Sequence, residues 1–165
     1  MSRCASVDLV LKAAAVILLG GSLAAGVASV SAGPAGGGQA VNRDRNGLAI
    51  DGYDPVAYFT EGRPVQGVAE FEYTWNGTKY RFVSAANRDR FAKDPEAFTP
   101  QYGGFCSYAV SRGYTADIDP VAWAVVDGKL YLNYSVRVQR TWETDVPGNI
   151  RKADANWVTL RDKGK

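Results

Sequence analysis

The run Phe71-Glu72-Tyr73-Thr74-Trp75-Asn76-Gly77 constrains this chain more than any other stretch. Three aromatics alternate with polar residues, the period of a strand with one buried face. Asn-Gly then supplies the two adjacent positive-φ positions that a tight type I′ turn needs. With Tyr80 and Phe82 on the return, residues 69–83 are expected to form an antiparallel hairpin. A second hairpin follows the same logic: a strand over 123–126, the Asp127-Gly128 turn and a return strand over 130–134.

Helix signals surround both hairpins. Asp54-Pro55 reads as a cap followed by proline at the first helical position, so Val56 to Phe59 should make a short helical turn. Ser84 is placed to cap a helix over Ala85–Lys93, Asp94-Pro95 restarts a second one ending near Phe98, and Pro100 closes it. Near the C-terminus Val138 and Trp142 share one helical face. Ile150, Ala153, Trp157 and Leu160 form an apolar stripe expected to clamp onto the hairpins. Asp117-Ile118-Asp119-Pro120 reads as a turn and cap. The expected fold is a single small α+β domain, two antiparallel hairpins packed with short helices and closed by a C-terminal helix pair. Two hairpin-plus-helix units succeed one another, but no internal repeat is convincing in the residues themselves.

The N-terminus has a different character. Arg3 and Lys12 flank the start, an apolar stretch runs from Ala13 to Leu19, and small residues continue to Val30-Ser31-Ala32. This is the layout of a secretory signal peptide over 1–32, cleaved before Gly33. An uncleaved anchor is the alternative, because about twenty residues can span a bilayer. The second half is Gly, Ser and Ala, which insert poorly. Residues 33–46, opening Gly33-Pro34-Ala35-Gly36-Gly37-Gly38, read as a flexible linker, with the globular part at 47–162. The expected location is the periplasm or the exterior, or the periplasmic face of the membrane if the segment is retained.

Composition excludes several chemistries. The chain holds no histidine and two cysteines, of which only Cys106 lies beyond the signal segment, so no intrachain disulfide can form there. Without histidine there is no Ser-His-Asp or Cys-His catalysis, and no His-containing zinc or blue-copper site. Removing residues 1–32 takes Arg3, Lys12 and Asp8 from nineteen basic and seventeen acidic residues, which leaves a charge near +1. The basic residues are scattered among acids, so a nucleic-acid surface is not expected. No dense acidic loop, carboxylate pair or phosphate loop stands out, and no catalytic residue is nominated.

Two groups of side chains remain as candidates. Cys106 follows Tyr102-Gly103-Gly104-Phe105, where glycines permit a bend. It is either a buried small hydrophobe or a reactive or ligating thiol, activated by Arg112 or by the N-terminus of a helix starting there. The tyrosines, including Tyr108, Tyr114, Tyr131 and Tyr134, are mainly core residues, but some could wall a ligand pocket. Tyr53, Asp54 and Tyr58 are expected to converge with Tyr102 and Cys106 on one small-ligand site, although Asp54 reads more simply as a helix cap.

Taken in order, Gly52-Tyr53-Asp54-Pro55-Val56-Ala57-Tyr58-Phe59, Trp75-Asn76-Gly77, Tyr80-Arg81-Phe82, Asn87-Arg88-Asp89-Arg90-Phe91, Asp94-Pro95 and Tyr102-Gly103-Gly104-Phe105-Cys106 resemble the exported bacterial branch of the YHS-domain family. The segments from Asp127 to Tyr134 and from Pro147 to Trp157 resemble it too, so the likeness covers roughly 47–160. The resemblance implies kinship with treble-clef-like metal-sensing or metal-trafficking modules. Metal-associated members typically carry thiols after Asp-Pro-Val and at the hairpin-to-helix junction. Here Ala57, Val83 and Ala86 stand at those places, leaving Cys106 as the one thiolate a metal could use.

The functional expectation is a non-enzymatic, exported binding or homeostasis protein. It would hold a small ligand at the Cys106 region, or a metal shared with a partner or with a second copy in a dimer. The alternatives are a thiol-dependent enzyme or redox-responsive protein, and an interaction domain with a silent cysteine. No cofactor is nominated beyond that metal ion, and a membrane contact is expected only if the N-terminal segment is retained.

Overall fold

The structure, a computed structural model, describes residues 40–162; the expected signal segment and the first part of the expected linker lie outside them. The α+β architecture is as expected. A short 3-10 turn (Ile50–Gly52) leads into α1 (Ala57–Thr60), then β1 (Val68–Trp75) and β2 (Thr78–Phe82), α2 (Ala85–Lys93) and α3 (Pro95–Phe98). A second 3-10 turn (Gln101–Gly104) leads into α4 (Ser107–Ser111), β3 (Asp119–Val126), β4 (Lys129–Asn133), α5 (Val136–Glu143) and α6 (Val146–Leu160). Each strand pair is its own two-stranded antiparallel sheet.

Local chemistry accounts for the element ends. Asn76 and Gly77 take φ of 48° and 72°, and Asp127 and Gly128 take 51° and 71°, so both hairpins turn through paired positive φ. Ser84 Oγ accepts from Asn87 N–H at 3.2 Å, and Asp94 Oδ1 accepts from Ala97 N–H at 3.3 Å. β3 starts earlier than expected: Asp119 pairs with Asn133, and an irregularity between Asp119 and Trp123 bends the strand. Asp119 Oδ1 still accepts from Val121 N–H, so the cap chemistry holds inside a strand rather than a turn.

The two successive hairpin-plus-helix units are present as expected, and they prove to be a repeat, which the residues alone did not make convincing. Fifty-one residues separate Gly77 from Gly128, Ser84 from Ser135, Phe91 from Trp142 and Asp94 from Asp145. Ser135 and Asp145 cap α5 and α6 as Ser84 and Asp94 cap α2 and α3. The strand irregularity between Val68 and Glu72 has its counterpart between Asp119 and Trp123. Even the unusual backbone before each first helix recurs, with φ of 53°, 50° and 79° at Ile50, Asp51 and Gly52, and 56°, 60° and 78° at Tyr102, Gly103 and Gly104. Two copies of one turn-helix-hairpin-helix unit therefore make up the domain.

Each unit centres on one aromatic from its post-hairpin helix. Phe91 is fully buried, with ring centroids of Tyr80 at 4.8 Å, Phe82 at 5.2 Å and Tyr73 at 6.0 Å. Trp142 plays that part in the second unit, 5.4 Å from Tyr131, the counterpart of Tyr80. Strand β4 joins the cores. Its Leu130 and Leu132 belong to the first cluster while Tyr131 belongs to the second, so the strand is buried on both faces. The stripe on α6 is buried as expected at Ala153 and Leu160. Its main partner is α4 rather than a hairpin, because the buried Ala109 and Val110 put α4 between them.

Residues 40–46, expected as the end of a tether, are hydrogen-bonded to the domain. Ala40 N–H donates to Arg161 C=O and Asn42 N–H to Gly103 C=O, each at 2.9 Å, and Arg43 bridges Ala49. Gly103 makes this possible, because a Cβ there would run into the Ala40 carbonyl.

A pocket beside Cys106

Asp54 and Cys106 hold equivalent places in the two units, fifty-two residues apart. Asp54 is fully buried and its carboxyl group gathers four donors. Oδ1 accepts from Val56 N–H at 2.8 Å and Ala57 N–H at 3.3 Å; Oδ2 accepts from Val83 N–H at 3.0 Å and from Asn87 Nδ2 at 2.7 Å. A buried carboxyl group is tolerated only with such pairing. The helix starts at Ala57, with Val56 rather than Asp54 at its cap position; Asp54 holds the turn ahead of it and ties α1 to the end of β2 and to α2.

Cys106 repeats this with sulfur. Its Sγ accepts from Ala109 N–H at 3.5 Å and from Tyr134 N–H at 3.2 Å, the counterparts of Ala57 and Val83. The thiol also donates to Asn133 Oδ1 at 3.8 Å, and the same oxygen accepts from Tyr108 N–H. The residue is 1% exposed and unpaired. Arg112, expected as an activating cation, is turned elsewhere. Its guanidinium lies 4.9 Å from the Tyr108 ring centroid and donates to Tyr108 Oη at 2.8 Å.

The units differ around these two residues. In the first, Asn87 Nδ2 donates across to Asp54 Oδ2; in the second, Val138 stands at that position and its side chain has nothing to donate. A pocket of about 310 Å³ opens there, lined by Cys106, Tyr108, Ala109, Ala116 and Val138, with Tyr114 and Tyr134 at its rim. Both rim tyrosines are more than half exposed, at 54% and 59%. Behind the sulfur, Asn133 replaces the Phe82 of the first unit. Its Nδ2 and the neighbouring Ser107 Oγ are buried without a partner. Native interiors leave few such groups.

The expected convergence of five residues on one site does not occur. Tyr58 is a core residue of the first unit, donating to Pro120 C=O at 2.9 Å and meeting Trp123 edge-on at 5.2 Å. Tyr53 is half-buried and bridges Gln66 through its backbone. Asp54 is consumed by its four donors. Tyr102 lines a different cleft, where its Oη donates to Asp154 Oδ1 at 2.9 Å. Burial and that hydrogen bond push the Tyr102 phenol well above its ordinary range. Only Cys106 belongs to the apolar pocket. Tyr108, Tyr114 and Tyr134, named among the tyrosines that could wall a pocket, do line it, whereas Ala109, Ala116 and Val138 are lining residues that the sequence did not single out. The repeat spacing is the signal that could have found Val138, by setting it against Asn87.

These residues do not fit a family-style metal centre. Among the described residues no group of three or more His, Cys, Asp or Glu side chains is placed to hold a metal ion. A soft-metal site needs several thiolates or imidazoles converging on the ion, and Cys106 Sγ is surrounded by amide groups instead. Among the described residues the sulfur's hydrogen-bond partners are two backbone N–H groups and an amide oxygen, none of them a general base.

No curated protein and no solved structure matches the chain. The family comparison does give a match, over residues 56–102, which begins at α1 and ends in the turn before Cys106. That span takes in the first unit from α1 to α3 and stops at the turn that opens the second; the YHS domain is associated with metal-related binding. Residues 56–102 of this chain are therefore similar to a YHS domain.

Proposed function

We propose that this is an exported, non-enzymatic binding protein whose second unit holds a small, largely apolar ligand in the pocket beside Cys106. The observation that carries the reading is the difference between the units: Asn87 over Asp54 closes the first, and Val138 over Cys106 leaves the second open. The dimensions suit a small molecule, at the lower end of the roughly 300–1,000 Å³ of ligand pockets. Aromatic rims with a polar floor are the ordinary construction of such sites. Cys106 serves here as floor and cap rather than as nucleophile, because none of its hydrogen-bond partners is a general base. Export rests on the N-terminal pattern of Arg3, the apolar run and Val30-Ser31-Ala32. Among the described residues no helix is long and apolar enough to cross a membrane.

The test is native mass spectrometry with elemental analysis on protein recovered from the producing cell's periplasmic fraction, beside a Cys106→Ala variant. An organic adduct with no metal, on a chain beginning at Gly33, is the expected result. Stoichiometric metal lost with the thiol would replace this reading with the metal one, and recovery from the cytosolic fraction would overturn export.

A further inference from the structure

A second cleft, of about 480 Å³, lies at the junction of the two units and shares no residue with the Cys106 pocket. Its walls come from Val41 of the N-terminal segment, the β1–β2 turn and the start of β2, α3 and the residues after it, the turn at Tyr102 and the C-terminal end of α6. Trp75 and Trp157 are both half-buried in these walls. Trp75 is fixed edge-on against Phe91 and Trp157 against Tyr102, so neither indole needs ordering before it can receive a ligand. Glu96 and Asp154 bring carboxylates and Arg161 a guanidinium to the same lining. Thr78, also lining the cleft, is 1% exposed and its hydroxyl has no hydrogen-bond partner.

The chemistry of the lining selects the ligand class. Two carboxylates disfavour an anion, and the guanidinium in the same wall disfavours an amine. Indole surfaces beside groups that both donate and accept suit a neutral polyhydroxylated ring, whose C–H face can lie on an aromatic wall while its hydroxyls exchange hydrogen bonds. We propose that the interunit cleft is a saccharide-binding site, with Trp75 and Trp157 as platforms and Thr78, Glu96, Asp154 and Arg161 as hydroxyl partners. The cleft joins both units, so a bound sugar would also brace them against each other.

Saturation-transfer NMR on the wild-type protein, with glucose, N-acetylglucosamine, maltose and chitobiose at millimolar concentration, tests the proposal. Saturation of ring C–H protons is expected for at least one sugar. Trp157→Ala should weaken binding by about tenfold or more, the worth of one aromatic contact. Thr78→Val separates function from structure. Removing an unpartnered buried hydroxyl should leave the fold as stable or more so, while sugar affinity falls. Transfer to none of the four sugars, or unchanged affinity in both variants, would overturn the proposal. Preferential binding of choline or inorganic phosphate at the cleft would do the same.

Discussion

Cys106 caps α4, and Asp54 holds the turn into α1 with the same pair of bonds: each takes the N–H three residues on, and each takes an N–H from the residue just past its hairpin, Tyr134 for Cys106 and Val83 for Asp54. The cysteine is thus the second unit's version of a structural acid. What distinguishes it is the company it keeps, Val138 and Asn133 in place of Asn87 and Phe82.

The two residues should differ sharply in their contribution to stability. Asp54→Ala strands three backbone N–H groups and the Asn87 amide in the interior, and should cost about 3 kcal/mol or more. Cys106→Ala removes a weaker acceptor and a small volume, and should cost about 1–2 kcal/mol. Guanidinium titrations of both variants measure this. Equal losses would mean that the sulfur is a stronger partner than its geometry implies.

Stability should fall at alkaline pH. Burial raises the phenols of Tyr58, Tyr80, Tyr102 and Tyr131 above their ordinary value. Tyrosines in the unfolded chain ionise near pH 10, so above that pH the unfolded state has released protons that the folded state retains. The stabilisation is complete below about pH 10 and is lost as pH rises beyond it. Tyrosinate absorbance followed alongside circular dichroism should show these phenols ionising together with unfolding. Their ionisation in a protein with unchanged ellipticity would contradict the burial described.

Gly103→Ala should loosen the N-terminal segment. The residue sits at φ +60°, and an added Cβ meets the Ala40 carbonyl backbone. Strain of about 1–3 kcal/mol can be relieved by releasing residues 40–42, which breaks the bonds to Arg161 and Gly103. Faster hydrogen exchange at Ala40 and Asn42, with the cores unchanged, is the expected result. Unaltered exchange there would show that the segment is held by other contacts.

Much of the fold was legible because its signals are local. Asn76-Gly77, Asp127-Gly128, Ser84 and Asp94 each fix an element end through their own backbone chemistry, and all act where the residues indicate. The start of β3 was not legible, since Asp119-Pro120 carries a turn's chemistry and only pairing with Asn133 makes it strand. The repeat was hidden because its identical pairs, Gly77 with Gly128, Ser84 with Ser135 and Asp94 with Asp145, are isolated turn and cap residues, while the core and buried positions change type, Phe91 against Trp142 and Asp54 against Cys106. The site was half legible. Cys106 could be singled out by composition, but its pocket depends on Tyr114, Tyr134 and Val138, which long-range packing brings together. Tyr58 and Tyr102 looked like neighbours of the thiol, yet they serve a different core and a different cleft.

The central claim is that the second unit is open where the first is closed. Titrating the protein with the apolar fluorophore 1-anilinonaphthalene-8-sulfonate tests it directly, comparing the wild type with a Cys106→Asp, Val138→Asn double variant that rebuilds the Asp54–Asn87 pair. Saturable fluorescence enhancement in the wild type, and its loss in a folded double variant, is the predicted result. Equal enhancement in both, or none in the wild type, would contradict the account.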